Sequence, residues 1–245
     1  KQNSLWQNEI IAIECEVELE TLENKEIIFT LGVGQTVLEC QDIAYKYNNL
    51  SKAKEEYENT KNYWKNMTEN LQVNTPLESI NILLNSWLIY QTITSRLLAK
   101  TGYYQSGGAY GFRDQLQDTI ALKYVNPDIT KQQIIKHSKH QFIEGDVEHW
   151  WHDETSRGIR TRFSDDRLWL VYLVEDYIAF TGDKEILDIK TPYLKGNLLE
   201  NDVDERYDMY EQSEIEESIY EHCKKAINIS LNFGENGLPK IGSGD

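Results

Sequence analysis

Two loops and one helical arginine hold the side chains of this chain that could do chemistry. The denser loop runs from Gly102 to Asp118: Tyr103, Tyr104, Gln105 and Tyr110 lie among glycines, and Arg113, Asp114, Gln117 and Asp118 follow. Glycine lets the backbone turn tightly and approach a ligand, while tyrosine offers a stacking face with a hydroxyl handle. An Arg-Asp pair sets a donor fork beside an acceptor. That mixture suits a sugar, whose hydroxyls need donors and acceptors and whose ring faces need aromatics. The same residues also read as a glycine-rich turn with Arg113 and Asp114 forming a salt bridge at a helix N-terminus. The residues alone leave both readings open.

The second loop, Glu144 to Asp166, contains His149-Trp150-Trp151-His152 and closes on Asp165-Asp166. Adjacent side chains usually diverge, so one tryptophan is expected to pack on the core and the other to be offered to a sugar. Asp165 and Asp166 directly precede a predicted helix; an N-cap with a dipole-favoured acid explains one carboxylate more easily than two. His149 and His152, with Asp146 and Asp153 nearby, match no HExxH or comparable ligand pattern, so no metal is expected. Arg96 stands within an apolar run, where a buried guanidinium needs a carboxylate or another anion; a place on the helix's wet side is the alternative. There is no GxSxG, no GK[ST] phosphate loop and no dinucleotide fingerprint.

The elements that must position these loops fall into two kinds. Between Ile11 and Glu20, Ile11, Ile13, Cys15, Val17 and Leu19 alternate with glutamates, which predicts a half-buried strand; Glu26–Val33 predicts a second. Two strands alone are marginal in water, so a larger sheet is expected around them. Residues 51–71 switch to helical spacing and read as a connector. Thr75-Pro76-Leu77-Glu78 has the form of a capping box opening an apolar helix to about Lys100. Further helices are predicted from Thr130 to Phe142, from Arg167 to Phe180 with Gly182 as its stop, and from Ser213 to Phe233. No strand–helix alternation of a parallel sheet is present. The helices form the frame and the long loops carry the chemistry.

Composition narrows the function classes. With 41 acidic against 25 basic residues and a net charge of −16, the chain is unsuited to nucleic acid or to an anionic membrane surface. Its 3 cysteines include no CxxC pair, so reduced thiols and a cytoplasmic location are expected. No apolar run reaches the roughly 20 residues of a membrane span. The chain begins without Met and ends at Gly244-Asp245, and it reads as a piece of a longer polypeptide.

The runs Tyr104–Asp118 (YQSGGAYGFRDQLQD), Gln141–Asp146, His149–His152, Ser164–Asp166 and Gly237–Asp245 (GLPKIGSGD) resemble glycoside hydrolase family 94, the inverting phosphorylases of β-linked saccharides. The forms of the first three are most similar to its β-1,2-glucan branch, which comprises 1,2-β-oligoglucan phosphorylases and the phosphorylase-like domain of cyclic β-1,2-glucan synthases. The resemblance implies a mainly α fold, a partial (α/α)6 barrel over residues 76–245. A helical linker over 49–75 and the last strands of a β-sandwich over 1–48 would precede it.

It further implies β-glucan oligosaccharide and inorganic phosphate as co-substrates, with no resident cofactor and with the remainder of the same polypeptide as partner. A membrane enters only in the synthase case. Arg96 matches a phosphate-holding position, and Arg113 and Asp114 match the subsite of the sugar cleaved off. Tyr104, Gln105, Gln117, Asp118, Trp150 and Trp151 are expected to bind substrate, and Asp165 and Asp166 match an acidic pair on the barrel's active face with a structural or sugar-binding role. An arginine of the cellobiose phosphorylases is replaced here at Gly107-Gly108-Ala109, which supports another linkage. The general acid is expected three residues past Asp245, so no catalytic residue is assigned within the chain. A sugar-binding module without catalysis is the alternative from a different class.

Overall fold

A computed structural model describes residues 12–98 and 108–242, and the chain divides into two units, Lys1–Asn62 and Tyr63–Asp245. In the first unit, Thr36 accepts from the Glu39 amide (3.2 Å) and starts helix α1 (Val37–Tyr47). Asn49 accepts from the Lys52 amide (3.1 Å) at the head of α2 (Leu50–Glu69), within which the division falls. The predicted strands do not form: residues 12–33 contain a turn at 21–22 and no β-ladder. Alternation alone supplies neither partner strands nor a surface to cover, and Ile13 and Phe29 stay 68% and 61% exposed.

The second unit is the frame. The single helix predicted from Pro76 to about Lys100 is a composite: α3 (Glu78–Ile82), a π-helical turn over Leu83–Trp87, α4 (Leu88–Gln91) and a second π segment over Thr92–Leu98. The expected box at Thr75 is replaced by Asn81, whose Oδ1 accepts from the Thr75 amide and hydroxyl, both at 2.8 Å. Ile89, Ile93 and Leu97, spaced four apart, bury one face against Met67, Leu122 and Val125.

Helices α5 (Phe112–Thr119), α6 (Pro127–Ser138), α7 (Asp166–Thr181) and α8 (Ile219–Ser230) pack around the main core. That core holds Phe112, Leu116, Ile134, Trp151, Leu170, Leu173 and Ile219. Helix α6 starts before the predicted Thr130, because Asn126 accepts from the Asp128 amide (3.0 Å) and Pro127 takes the first turn. Helix α7 lies where it was predicted, closed by Gly182 at φ +75°.

The helix predicted from Ser213 to Phe233 begins as strand. Residues Glu211–Ser218 form β6, antiparallel to β4 (Lys190–Lys195), and Ser218 caps α8 instead. A second sheet orders β1 (Tyr110–Gly111), β2 (Glu148–His152), β3 (Arg157–Thr161) and β5 (Glu205–Met209) as an antiparallel ribbon. The described chain is thus mainly helical with two small antiparallel sheets. Among the described residues no helix is long and apolar enough to cross a membrane.

Candidate active site

The β2–β3 hairpin and the start of α5 converge on one cavity. Regular pairing would put His149 and Trp151 on one face of β2 and Glu148, Trp150 and His152 on the other. Instead the register slips between Glu148, opposite Arg160, and Trp150, opposite Ile159. This bulge inserts His149 as the extra residue, and bulges commonly re-aim side chains beside functional sites. His149, Trp150 and His152 then line a cavity of about 360 Å³ with Ala109, Gly111, Arg113 and Asp114. Of the tryptophan pair, Trp151 is the core member at 1% exposure, stacked on His140 (3.7 Å) and Tyr110 (5.6 Å), so it is not a sugar platform. Trp150 is the ring at the cavity, tilted against Tyr207 at 5.4 Å.

Charge around the cavity is organised in pairs. Arg113 donates from Nη1 to Asp165 (3.1 Å) and has Asp114 at 3.9 Å; the Asp165 hydrogen bond and neighbouring carboxylates hold its pKa above the usual arginine value. Arg96 donates from Nε to Asp118 (2.5 Å) and lies 3.7 Å from Asp114. Asp114 therefore sits between two guanidinium groups. Asp166 is buried and binds His149 Nδ1 at 2.7 Å through Oδ2, while its Oδ1 finds no hydrogen-bond partner. Burial pulls the His149 pKa down, but the hydrogen bond and charge of Asp166 outweigh it and hold the imidazole above its ordinary value. Phe163 lies against the ring at 4.4 Å.

Neither aspartate at the start of α7 acts as a side-chain cap. Asp165 occupies the N-cap position without a side-chain cap bond, and both carboxylates turn to the cavity side, toward Arg113 and His149. Asp114 is not the N-cap residue of α5: Gly111 takes that position, and Gln115 accepts from the Gly111 amide at 2.5 Å. The structure thus gathers Arg113, Asp114 and Trp150 at one cavity. Gln117 lines a neighbouring cavity of about 290 Å³ with Asp165 and Trp169. Asp118 is engaged by Arg96, and Tyr104 and Gln105 lie outside the described residues. Sequence reasoning considered His149 only as a metal ligand. Its place here comes from a bulge, which needs cross-strand pairing to be seen.

What this arrangement can do chemically is hold a polyhydroxylated ring between an indole face and paired charged donors and acceptors. The family model of the glycosyl hydrolase 94 superfamily catalytic domain matches residues 63–245. Cyclic beta-(1,2)-glucan synthase NdvB of Rhizobium meliloti (strain 1021) is 40% identical over 77% of this chain, a stretch that makes up 7% of that protein. N,N'-diacetylchitobiose phosphorylase of Vibrio furnissii is 23% identical over 94% of the chain and 30% of its own length. Solabiose phosphorylase of Paenibacillus borealis is 29% identical over 73% and 20%. The chain spans less than a third of each of these relatives. It belongs to the glycosyl hydrolase 94 superfamily, its residues 63–245 matching the catalytic-domain model.

Proposed function

We propose that this chain supplies the sugar-binding half of an inverting glycoside phosphorylase that cleaves β-linked, most specifically β-1,2-linked, glucooligosaccharides with phosphate to give α-glucose 1-phosphate. The observation that carries the reading is the cavity where Arg113, Asp114, His149 and Trp150 meet. Inverting hydrolases need two carboxylates, one as acid and one as base for water. Phosphate is already an anionic nucleophile, so a single acid suffices, and a base carboxylate beside it would repel it. A guanidinium suits that place because its fork binds oxyanions through two parallel hydrogen bonds. Arg96 takes this role in the proposal, with Asp118 fixing its Nε edge. Residues 76–245 would be the first part of an (α/α)6 barrel, following a linker over 49–75 and the end of a β-sandwich over 1–48. Phosphate is the co-substrate, and no resident cofactor is invoked.

The 40% identity to a cyclic β-1,2-glucan synthase favours a second reading, the phosphorylase-like domain of such a synthase, tethered to a membrane through other segments. Both readings place a β-1,2-glucosyl unit in the same cavity. The test is phosphorolysis by the full-length protein. Release of α-glucose 1-phosphate from β-1,2-glucooligosaccharides, and not from cellobiose or chitobiose, is the expected result. Turnover of cellobiose alone would overturn the linkage.

A further inference from the structure

Behind the hairpin, on the face away from the sugar cavity, lies a second set of interlocked side chains. Glu148 is 2% exposed and lies over Gly158, where a Cβ would collide with the Glu148 Oε1 and come within 2.7 Å of its Cδ. Only glycine leaves room for that carboxyl. Glu148 Oε2 is 2.6 Å from His140 Nδ1, and the Glu148 amide donates to the His140 carbonyl at 3.0 Å. The His140 ring in turn stacks on Trp151, whose Nε1 donates to Asp153 at 2.7 Å. These contacts hold the two residues that flank His149 and Trp150 in the chain, Glu148 before and Trp151 after. The bulge is clamped from its reverse side.

We propose that Glu148 and His140 are positioning residues for the sugar cavity: by pinning the bulge from the far face of the hairpin, they turn His149 and Trp150 together toward the ligand. The inference rests on reading that cavity as the glucosyl site. Neither residue lines it; both face a separate cavity of about 420 Å³ with Trp151, Asp153, Tyr210 and Gln212. That cavity gives the pair a route for proton exchange.

The clamp has a charge requirement. Burial, with Asp153 nearby, pushes Glu148 up to about 8, and burial beside His137, Lys136 and Lys139 holds His140 well below its ordinary value. The pair is therefore neutral, with one proton between two heavy atoms. The other groups facing it are His152, Asp153, paired with Lys136 at 2.7 Å, Tyr210, between β5 and β6, and Glu211, the first residue of β6. Above about pH 8 Glu148 ionises in a place that cannot solvate it and lies near Asp153, so the wedge over Gly158 weakens.

The experiment measures binding of a β-1,2-linked glucotriose to the full-length protein by calorimetry from pH 6.5 to 9.5, alongside Tm. Wild type is expected to lose affinity above about pH 8. Glu148→Gln, neutral at every pH, should bind as wild type at pH 7 and lose less affinity than wild type above about pH 8. Glu148→Ala should bind about tenfold more weakly or worse at pH 7, as misplaced positioning groups commonly cost that much. His149, which titrates in the same cavity, is common to both proteins, so an alkaline loss as large in Glu148→Gln as in wild type overturns the proposal, and this readout decides alone if Glu148→Ala does not fold. Trp150→Ala separates the two levels. If it binds normally, the sugar-site reading fails and this proposal with it; if it is impaired while Glu148→Ala lowers only Tm, the positioning role alone fails.

Discussion

Residues 12–33 and the β2–β3 hairpin make an instructive pair. The first has unbroken apolar–acidic alternation over residues 13–20 and forms no ladder. The second has a mixed pattern of His, Trp, Arg and Gly, and it forms the sheet on which the candidate site stands. The hairpin's side chains are satisfied by one another and by the helices behind them. Arg160, wholly buried, donates to Asp146 (2.6 and 2.7 Å), to Glu144 (2.9 Å) and to the carbonyls of Gly196 and Asn197. The alternating segment, among the described residues, has exposed polar contacts such as Lys54–Glu26 (2.6 Å) and Lys25 to the Glu18 carbonyl (2.6 Å), and no strand beside it. Pattern proposes a strand, and partners decide it.

The comparison breaks first at Arg160. Arg160→Ala leaves Asp146 and two carbonyls facing an empty site, and unfolding by urea should show a loss of about 3–5 kcal/mol, the usual cost of removing one partner from a buried pair. A loss below 1 kcal/mol would mean the hairpin does not depend on its buried partners. Trp151→Ala should cost a similar 3–5 kcal/mol through the cavity it leaves. Trp150→Ala, on the other face, should cost far less stability and act on sugar binding instead. Equal destabilisation by both would erase the distinction between core ring and site ring.

Titration sharpens the same contrast. In the unfolded chain Glu148 and His140 carry ordinary values, near 4.5 and 6.5, whereas folded Glu148 holds its proton to about 8 and folded His140 takes none up until well below 6.5. Between 4.5 and 6.5 both states bind one proton across the pair, so its contribution to stability is flat there. Below 4.5 the unfolded chain binds the extra proton; above 6.5 the folded chain does, so stability from this pair falls on either side. Denaturation midpoints from pH 4 to 9 should show the alkaline fall in wild type and not in Glu148→Gln. The smallest effect belongs to the other region: Phe29→Ser should shift stability by no more than about 0.5 kcal/mol, as for exposed positions generally. A large loss there would mean that residues 12–33 are buried against something.

Helix α7 was legible almost to the residue, because an apolar helix with Gly182 behind it has no local competitor. The segment around Ser213 was not. Ser213-x-x-Glu216 and Ser218-x-x-Glu221 are two equivalent capping boxes, and only pairing with β4 selects the second; Ser218 accepts from the Glu221 amide (3.3 Å), while Ser213 bonds locally to Ile215 (3.2 Å). Arg113, Asp114 and Trp150 could be singled out by type and spacing, and the structure brings them to one cavity. His149, Glu148 and His140 could not, because their roles follow from a one-residue register slip across two strands.

The central claim is that the Arg113–Asp114 cavity binds the sugar being transferred, and Asp114→Asn in the full-length protein tests it most directly. Asp114 lies in the first turn of α5, after the N-cap residue Gly111 and partly exposed between Arg96 and Arg113, so the amide should leave the fold intact and lower Tm only slightly. The lost charge should lower kcat/KM for phosphorolysis of a β-1,2-glucooligosaccharide by the equivalent of about 1.5–3 kcal/mol, roughly ten- to a hundredfold. A folded Asn variant with full kcat/KM would contradict the account.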